Sequence, residues 1–242
     1  MPVTRNSGVL ALGGIVLAAL LAVVGHAGVN DLDPVSLTVS DYAVSDSGGA
    51  IHVAMLLLAV ASAVLIPALS RLGHPASDVP TRTANPAGTA DPAAGSVRRG
   101  RAAEWLLAAW AGGLLLSGLV PTNPPGTEMG TAAYVHRYAS VVAFLALPVA
   151  GWLLAARLPT GARAGRWLRV LTVASLLLAA AMVWSAYPGD RALYGLIERV
   201  LILAEVALLT LLAVTLHLRR DHSNSWSISW RAASVTEPER LG

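Results

Sequence analysis

The sequence predicts an all-α fold: a polytopic membrane bundle of six transmembrane helices with both termini cytoplasmic. Three observations carry this expectation. The apolar residues come in long unbroken blocks rather than at amphipathic spacing. The chain is 55% hydrophobic and only 13% charged, too little polar surface for a soluble domain of 242 residues. The arginines, finally, gather on alternate connections between the blocks.

Block one covers 9–27. Arg5 precedes it and Gly25-His26-Ala27 closes it, which resembles a signal peptide. It is long for such a segment, and its removal would spoil the arginine alternation, so a retained helix is expected. The loop 29–49 follows, with an Asp33-Pro34 turn and Thr38, Ser40 and Asp41. Block two, 50–69, completes a first unit, 1–72. Residues 73–101 are rich in Pro, Ala, Thr, Gly and Ser, which predicts a disordered cytoplasmic linker.

Blocks three to six cover 102–120, 132–156, 168–187 and 193–218, forming a second unit over 102–218. At about 1.5 Å per residue each block can cross roughly 30 Å of hydrocarbon. Open sheet edges are not tolerated in lipid, so the blocks should be helices. The remaining 219–242 read as a cytoplasmic tail in which Trp226 and Trp230 stand four apart. If the blocks alternate, Arg5, Arg71, Arg82, Arg98, Arg99, Arg101, Arg157, Arg163, Arg166, Arg169, Arg219 and Arg220 share one side, and only Arg137, Arg191 and Arg199 take the other. The richer side is the cytoplasmic one, so the expected location is the plasma membrane, multi-pass.

Several chemistries are excluded. There is no cysteine and no lysine, which removes disulfides, thiolate ligands and Schiff bases. The arginines sit at helix ends without interleaved aromatics, so no nucleic-acid partner is expected. No cofactor fingerprint is present. His26, His52 and His136 with Asp41 or Glu198 are suitable metal-ligand types, but none has diagnostic spacing, and no metal is expected.

What needs explaining is polarity inside apolar blocks. Glu198 and Glu205 are seven apart on one face of block six. A central acidic residue costs about 2.5 to 3.5 kcal/mol by insertion scales, so Glu205 should turn into the bundle, either as helix glue or as a proton carrier. The candidate ligand-binding residues at the outer side are Ser40, Asp41, Tyr42, Thr122, Asn123, His136, Arg137, Glu198 and Arg199. His136, Glu198 and Asp41 are the candidate catalytic groups, and Ser140 shares a face with His136.

Four segments carry a family resemblance: DPVSLTVSDYAV before the second helix, LLLSGLVPTNPPG ending the third, YVHRYASVVAFLALPVAGWLL in the fourth and GLIERVLI in the sixth. Together they resemble the bacterial six-helix membrane family catalogued as domain of unknown function 998. The resemblance implies a six-helix fold and places polar family positions on Asp33, Pro34, Ser40, Tyr42, Pro121, Thr122, Asn123, His136, Gly195, Leu196, Glu198 and Arg199. Asn123 departs from the aspartate usual there, and Glu198 from a frequent glutamine. No activity comes with the resemblance.

Three functions are weighed. The favoured one is an accessory or binding protein whose outer polar pocket takes a lipid headgroup or a small amphipathic ligand, with membrane lipids and another membrane protein as partners. The second is an intramembrane enzyme acting on a lipid or isoprenoid-like substrate, with His136 or Glu198 as general acid or base and Arg137 or Arg199 holding an anion. The third is a proton-coupled transporter using Glu198 and Glu205, disfavoured because no polar path continues beyond Glu205.

Overall fold

The computed structural model describes residues 6–29, 32–45, 48–72, 92–124, 126–158 and 163–235. They form helices α1 (Ser7–Ala27), α2 (Val39–Ala43), α3 (Gly49–Ala63), α4 (Ile66–Leu72), α5 (Pro92–Leu119), α6 (Thr131–Ala155), α7 (Arg163–Ala186) and α8 (Tyr194–Val235). Six stretches are long and apolar enough to cross a membrane: Ser7–Ala27, Gly49–Ser70, Arg98–Leu119, Thr131–Ala155, Arg163–Ala186 and Tyr194–Leu218. This is an all-α, multi-pass membrane bundle.

The second span is built from two helices. Pro67 has no N–H and its ring excludes a regular turn four residues back, so the chain breaks at Val64 and Leu65 before α4 resumes. Two segments depart from the sequence expectation. Of the expected linker 73–101, residues 92–101 are helical, with Pro92 at the first helical position, where its missing N–H costs nothing; 73–91 lie outside the described residues. The expected tail likewise continues α8 to Val235, since neither Gly nor Pro interrupts the chain between Gly195 and Pro238.

The spans close into a ring. α1 packs on α3, α3 on α5, α5 on α6, α6 on α7, α7 on α8 and α8 back on α1, with a further contact from α6 to α8. Small residues let the helices approach, as lipid-embedded packing requires. At Gly113 a Cβ would lie 2.6 Å from the Ala139 carbonyl of α6. Buried hydroxyls tie the ring where carbonyls are within reach. Trp110 Nε1 donates to Ser62 Oγ at 2.8 Å, and Ser62 donates to the Leu58 carbonyl at 2.7 Å. Leu20, Val141, Leu177 and Leu203 face outward, as a lipid-exposed surface demands.

The described residues of the connections 28–48, 120–130 and 187–193 share one end of the ring, here the loop end. Arg98, Arg99, Arg157, Arg163 and Arg166 lie at the other, the arginine end.

Candidate functional site

At the loop end, the segment before α3 folds back onto the head of α8. Asp33 starts it: its carboxylate accepts from Val35 N at 3.0 Å, Ser36 N at 3.2 Å and Ser36 Oγ at 2.6 Å. The Ser36 hydroxyl, more than the Val35 amide, holds this exposed carboxyl below its ordinary 3.8. The turn therefore keeps its charge at neutral pH and loses its ties only as pH falls through that lowered value.

Thr38 then caps α2 through a reciprocal box with Asp41. Asp41 Oδ2 accepts from Thr38 N and from Thr38 Oγ1, each at 2.8 Å, while Asp41 N donates to Thr38 Oγ1 at 3.1 Å. Asp41 is thereby committed to the local turn.

The first residues of α8 act as a receptor for this segment's backbone. Leu196 N donates to the Val35 carbonyl at 3.1 Å. Glu198, 4% exposed, accepts from Val39 N at 2.5 Å, satisfying a donor that the short helix α2 leaves open at its first turn. Arg199 Nη1 donates to the carbonyls of Pro34 at 2.9 Å, Leu37 at 2.7 Å and Gly195 at 3.0 Å. Its guanidinium also lies 4.8 Å over the Tyr42 ring, which stacks on His26 at 5.0 Å. Tyr42 Oη donates to the Leu32 carbonyl at 2.5 Å.

His136 joins α6 to the same assembly. Its Nδ1 lies 2.8 Å from the Val120 carbonyl, which can only accept, so Nδ1 carries the proton. In the neutral ring Nε2 then accepts from Ser40 Oγ, also at 2.8 Å. Ser117 lies beneath, 3.0 Å from Ser140 Oγ.

The roof formed by α2 covers a cavity of about 440 Å³ inside the ring. Its walls are apolar, among them Ile15, Ala18, Ala54, Leu58 and Phe144, and its polar groups are His26, Ser40, Ser140, Glu198 and Arg199. Two buried polar atoms among those groups have no hydrogen-bond partner: Arg199 Nη2 and His26 Nε2. Along the α1–α8 seam the wall runs out to Val23 and Leu203, each 67% exposed. Nearer the arginine end the same seam is shut, because Gly8 lets α1 sit directly on His217, where a Cβ would be 2.9 Å from His217 Cβ.

The sequence-derived candidates thus divide. Ser40, Glu198 and Arg199 line the cavity, and His136 adjoins it through Ser40. Asp41 and Tyr42 are buried in the roof's own hydrogen bonds. Thr122 and Asn123 belong to another loop, which Asn123 ties by donating to Thr127 Oγ1 and the Glu128 carbonyl and accepting from Gly130 N. Arg137 is exposed and does not line the cavity. His26 was not among the candidate binding residues, although its place at the end of an apolar block beside a polar loop was an available signal. Among the described residues no three His, Asp or Glu side chains gather into a metal-ligand set.

Glu205 is apart from all of these. It is fully buried, does not line the cavity, and neither carboxyl oxygen has a partner. An apolar side chain of similar length should suit that position better. Glu205→Met is expected to raise the thermal midpoint of the detergent-solubilised protein, corresponding to about 1–3 kcal/mol. A lowered midpoint would show that the carboxyl is held by an interaction worth keeping.

The family model described as Protein of unknown function (DUF998) matches residues 87–215, more than half of the chain. No curated protein and no solved structure matches the chain. The matched stretch includes α6, with His136, and the α8 head, whose Glu198 and Arg199 hold the first loop. By that match the chain, with its six membrane-spanning stretches, belongs to the DUF998 family, a family of unknown function.

Proposed function

We propose that the protein binds one amphipathic lipid in the cavity beneath α2, taken in sideways between α1 and α8. The observation that carries this reading is the pair of unpartnered buried atoms, Arg199 Nη2 and His26 Nε2, at the polar groups of an otherwise apolar cavity. Buried polar atoms are costly unless paired. His26 Nδ1 donates to the Ala22 carbonyl at 2.8 Å, which leaves the lone pair on Nε2. A head with an acceptor oxygen for Arg199 and a hydroxyl for that lone pair would satisfy both, while its chain covers Ile15, Ala18, Leu58 and Phe144. The volume suits a small ligand, and the exposed rim at Val23 and Leu203 supports access from the bilayer rather than from water.

The test uses a diazirine-bearing palmitate monoester of glycerol, which offers both acceptor oxygens and hydroxyls, photolysed with the purified full chain. Label is expected on cavity residues, and Ala54→Phe, which fills the cavity from α3, is expected to cut it about tenfold, in line with the loss of most of an apolar contact surface. Labelling confined to outward residues such as Leu20 and Leu177, or undiminished in a folded Ala54→Phe protein, would end the proposal.

The arginine bias supports a cytoplasmic arginine end, cytoplasmic termini and a cavity in the outer leaflet of the plasma membrane. The chain has no cysteine, so single cysteines report topology cleanly. Glu128→Cys is expected to react with an impermeant maleimide on intact cells and Arg166→Cys only after lysis. The reverse pattern would invert the assignment.

A second reading has its own observation. Ser40 Oγ donates to His136 Nε2 while the Val120 carbonyl orients Nδ1, which is the order of nucleophile, base and orienter used in acyl transfer. If that bond serves chemistry, a fluorophosphonate should label Ser40, and His136→Ala should abolish the labelling in folded protein. Absence of labelling would leave the bond as a tie between α2 and α6.

A further inference from the structure

A second cavity, of about 300 Å³, opens at the arginine end, away from the roofed one. Its apolar floor comes from three helices, with Leu154 of α6, Leu168 of α7 and Leu212 and Leu216 of α8, all largely buried. Its charged groups are Arg99 of α5 and Arg157, which follows α6. Gly100 brings the second guanidinium in close, because a Cβ there would lie 2.1 Å from Arg157 Nη2.

Two guanidinium groups on one small cavity repel each other, and that repulsion is relieved by an anion they share. Burial lowers the Arg157 guanidinium from its ordinary value; the Glu104 carboxylate raises it, and the positive charge of Arg99 lowers it further. Guanidinium is the side chain whose planar fork matches phosphate oxygens. Leucines directly below such a fork suit acyl carbons, which free phosphate does not offer.

We propose that this cavity is a binding site for the phosphate group of an anionic membrane lipid, held between Arg99 and Arg157 with the first chain carbons on the leucine floor. The site uses none of the residues around α2, so it stands or falls separately from the outer cavity.

The experiment measures lipid retained by the full chain in nanodiscs by native mass spectrometry, with phosphatidylglycerol against phosphatidylcholine as probes. Wild type is expected to keep phosphatidylglycerol preferentially. Each arginine removed, in Arg99→Gln and Arg157→Gln, should weaken retention about fivefold, the scale of one basic residue at an anionic membrane surface. Gly100→Ala keeps both charges but displaces the Arg157 guanidinium, and should also weaken it. Arg166→Gln, an exposed arginine at the same end, should leave retention unchanged. Equal loss in Arg166→Gln, or no loss in a folded double variant, would overturn the site. Displacement of the lipid by millimolar inorganic phosphate would overturn the assignment to lipid.

Discussion

Arg199→Met is expected to detach the first loop from α8 and to destabilise the protein by about 3 kcal/mol or more. One nitrogen of this side chain donates to three carbonyls that belong to two segments far apart in sequence, those of Pro34, Leu37 and Gly195. Methionine preserves the apolar stem and removes every donor, so the Leu37 and Gly195 carbonyls keep their partly buried position without that partner. A hydrogen bond to a charged group contributes about 1.5–3 kcal/mol, and the stacking over Tyr42 adds about 0.5–2 kcal/mol. Nη1 has only two N–H groups to share among the three carbonyls, and repacking and water recover part of the remainder, which is why the expected loss is set at about 3 kcal/mol or more. Arg199→Lys should recover only a fraction, because an ammonium on a different stem does not reproduce both the Nη1 position and the flat guanidinium over the Tyr42 ring. The readouts are the thermal midpoint in detergent and proteolysis of 32–43, which should become rapid. An unchanged midpoint with a protected loop would show that the loop is held by other contacts and that Arg199 is free for a ligand.

That prediction bears on what the GLIER segment is for. In sequence its charges are anomalous, since Glu198 and Arg199 stand inside an apolar block. The anomaly was legible because lipid makes an unpaired charge costly. Its resolution was not legible, because the partners are backbone groups of residues 34, 35, 37 and 39, which carry no residue-type signature. The helix α2 was missed for a related reason. Five residues are too few to show a period, although Thr38 followed three residues later by Asp41 is a capping signal that would have located its start.

The six spans were readable because bilayer thickness imposes a length on each of them. Polar continuations escaped that logic. Beyond Leu218 the chain stops being apolar but does not stop being helical, and hydropathy reports only the first change. The burial of Glu205 was expected from its depth. That its carboxyl oxygens would find no partner depends on which side chains the neighbouring helices present to it, and one sequence does not give their rotation. The cavity likewise comes from where the α1–α8 seam parts, a property of two helices separated by the whole chain.

Gly195→Ala is the sharpest test of this reading, because two principles predict opposite signs. Within an exposed helix, alanine is favoured over glycine by about 0.8–1.0 kcal/mol, so propensity alone predicts a more stable protein. Gly112→Ala, at a helical position with nothing within 4 Å of the new Cβ, should show that gain. At Gly195 the new Cβ would lie 2.0 Å from the Leu37 carbonyl oxygen and 2.7 Å from its carbon. Backbone cannot swing aside as a side chain can, so the loop must withdraw from α8. Withdrawal breaks the bond from Leu196 to the Val35 carbonyl, lengthens the one from Val39 to Glu198, and separates Arg199 from Leu37. Losing two or three such bonds at about 1 kcal/mol each, with a charged one among them, outweighs the propensity gain. The expected net effect is destabilisation by about 2–4 kcal/mol, read as a lower thermal midpoint and as loss of palmitate labelling once the α2 roof lifts from the cavity. A Gly195→Ala protein as stable as Gly112→Ala would mean that the loop does not rest on α8, and the roofed cavity would then have no support.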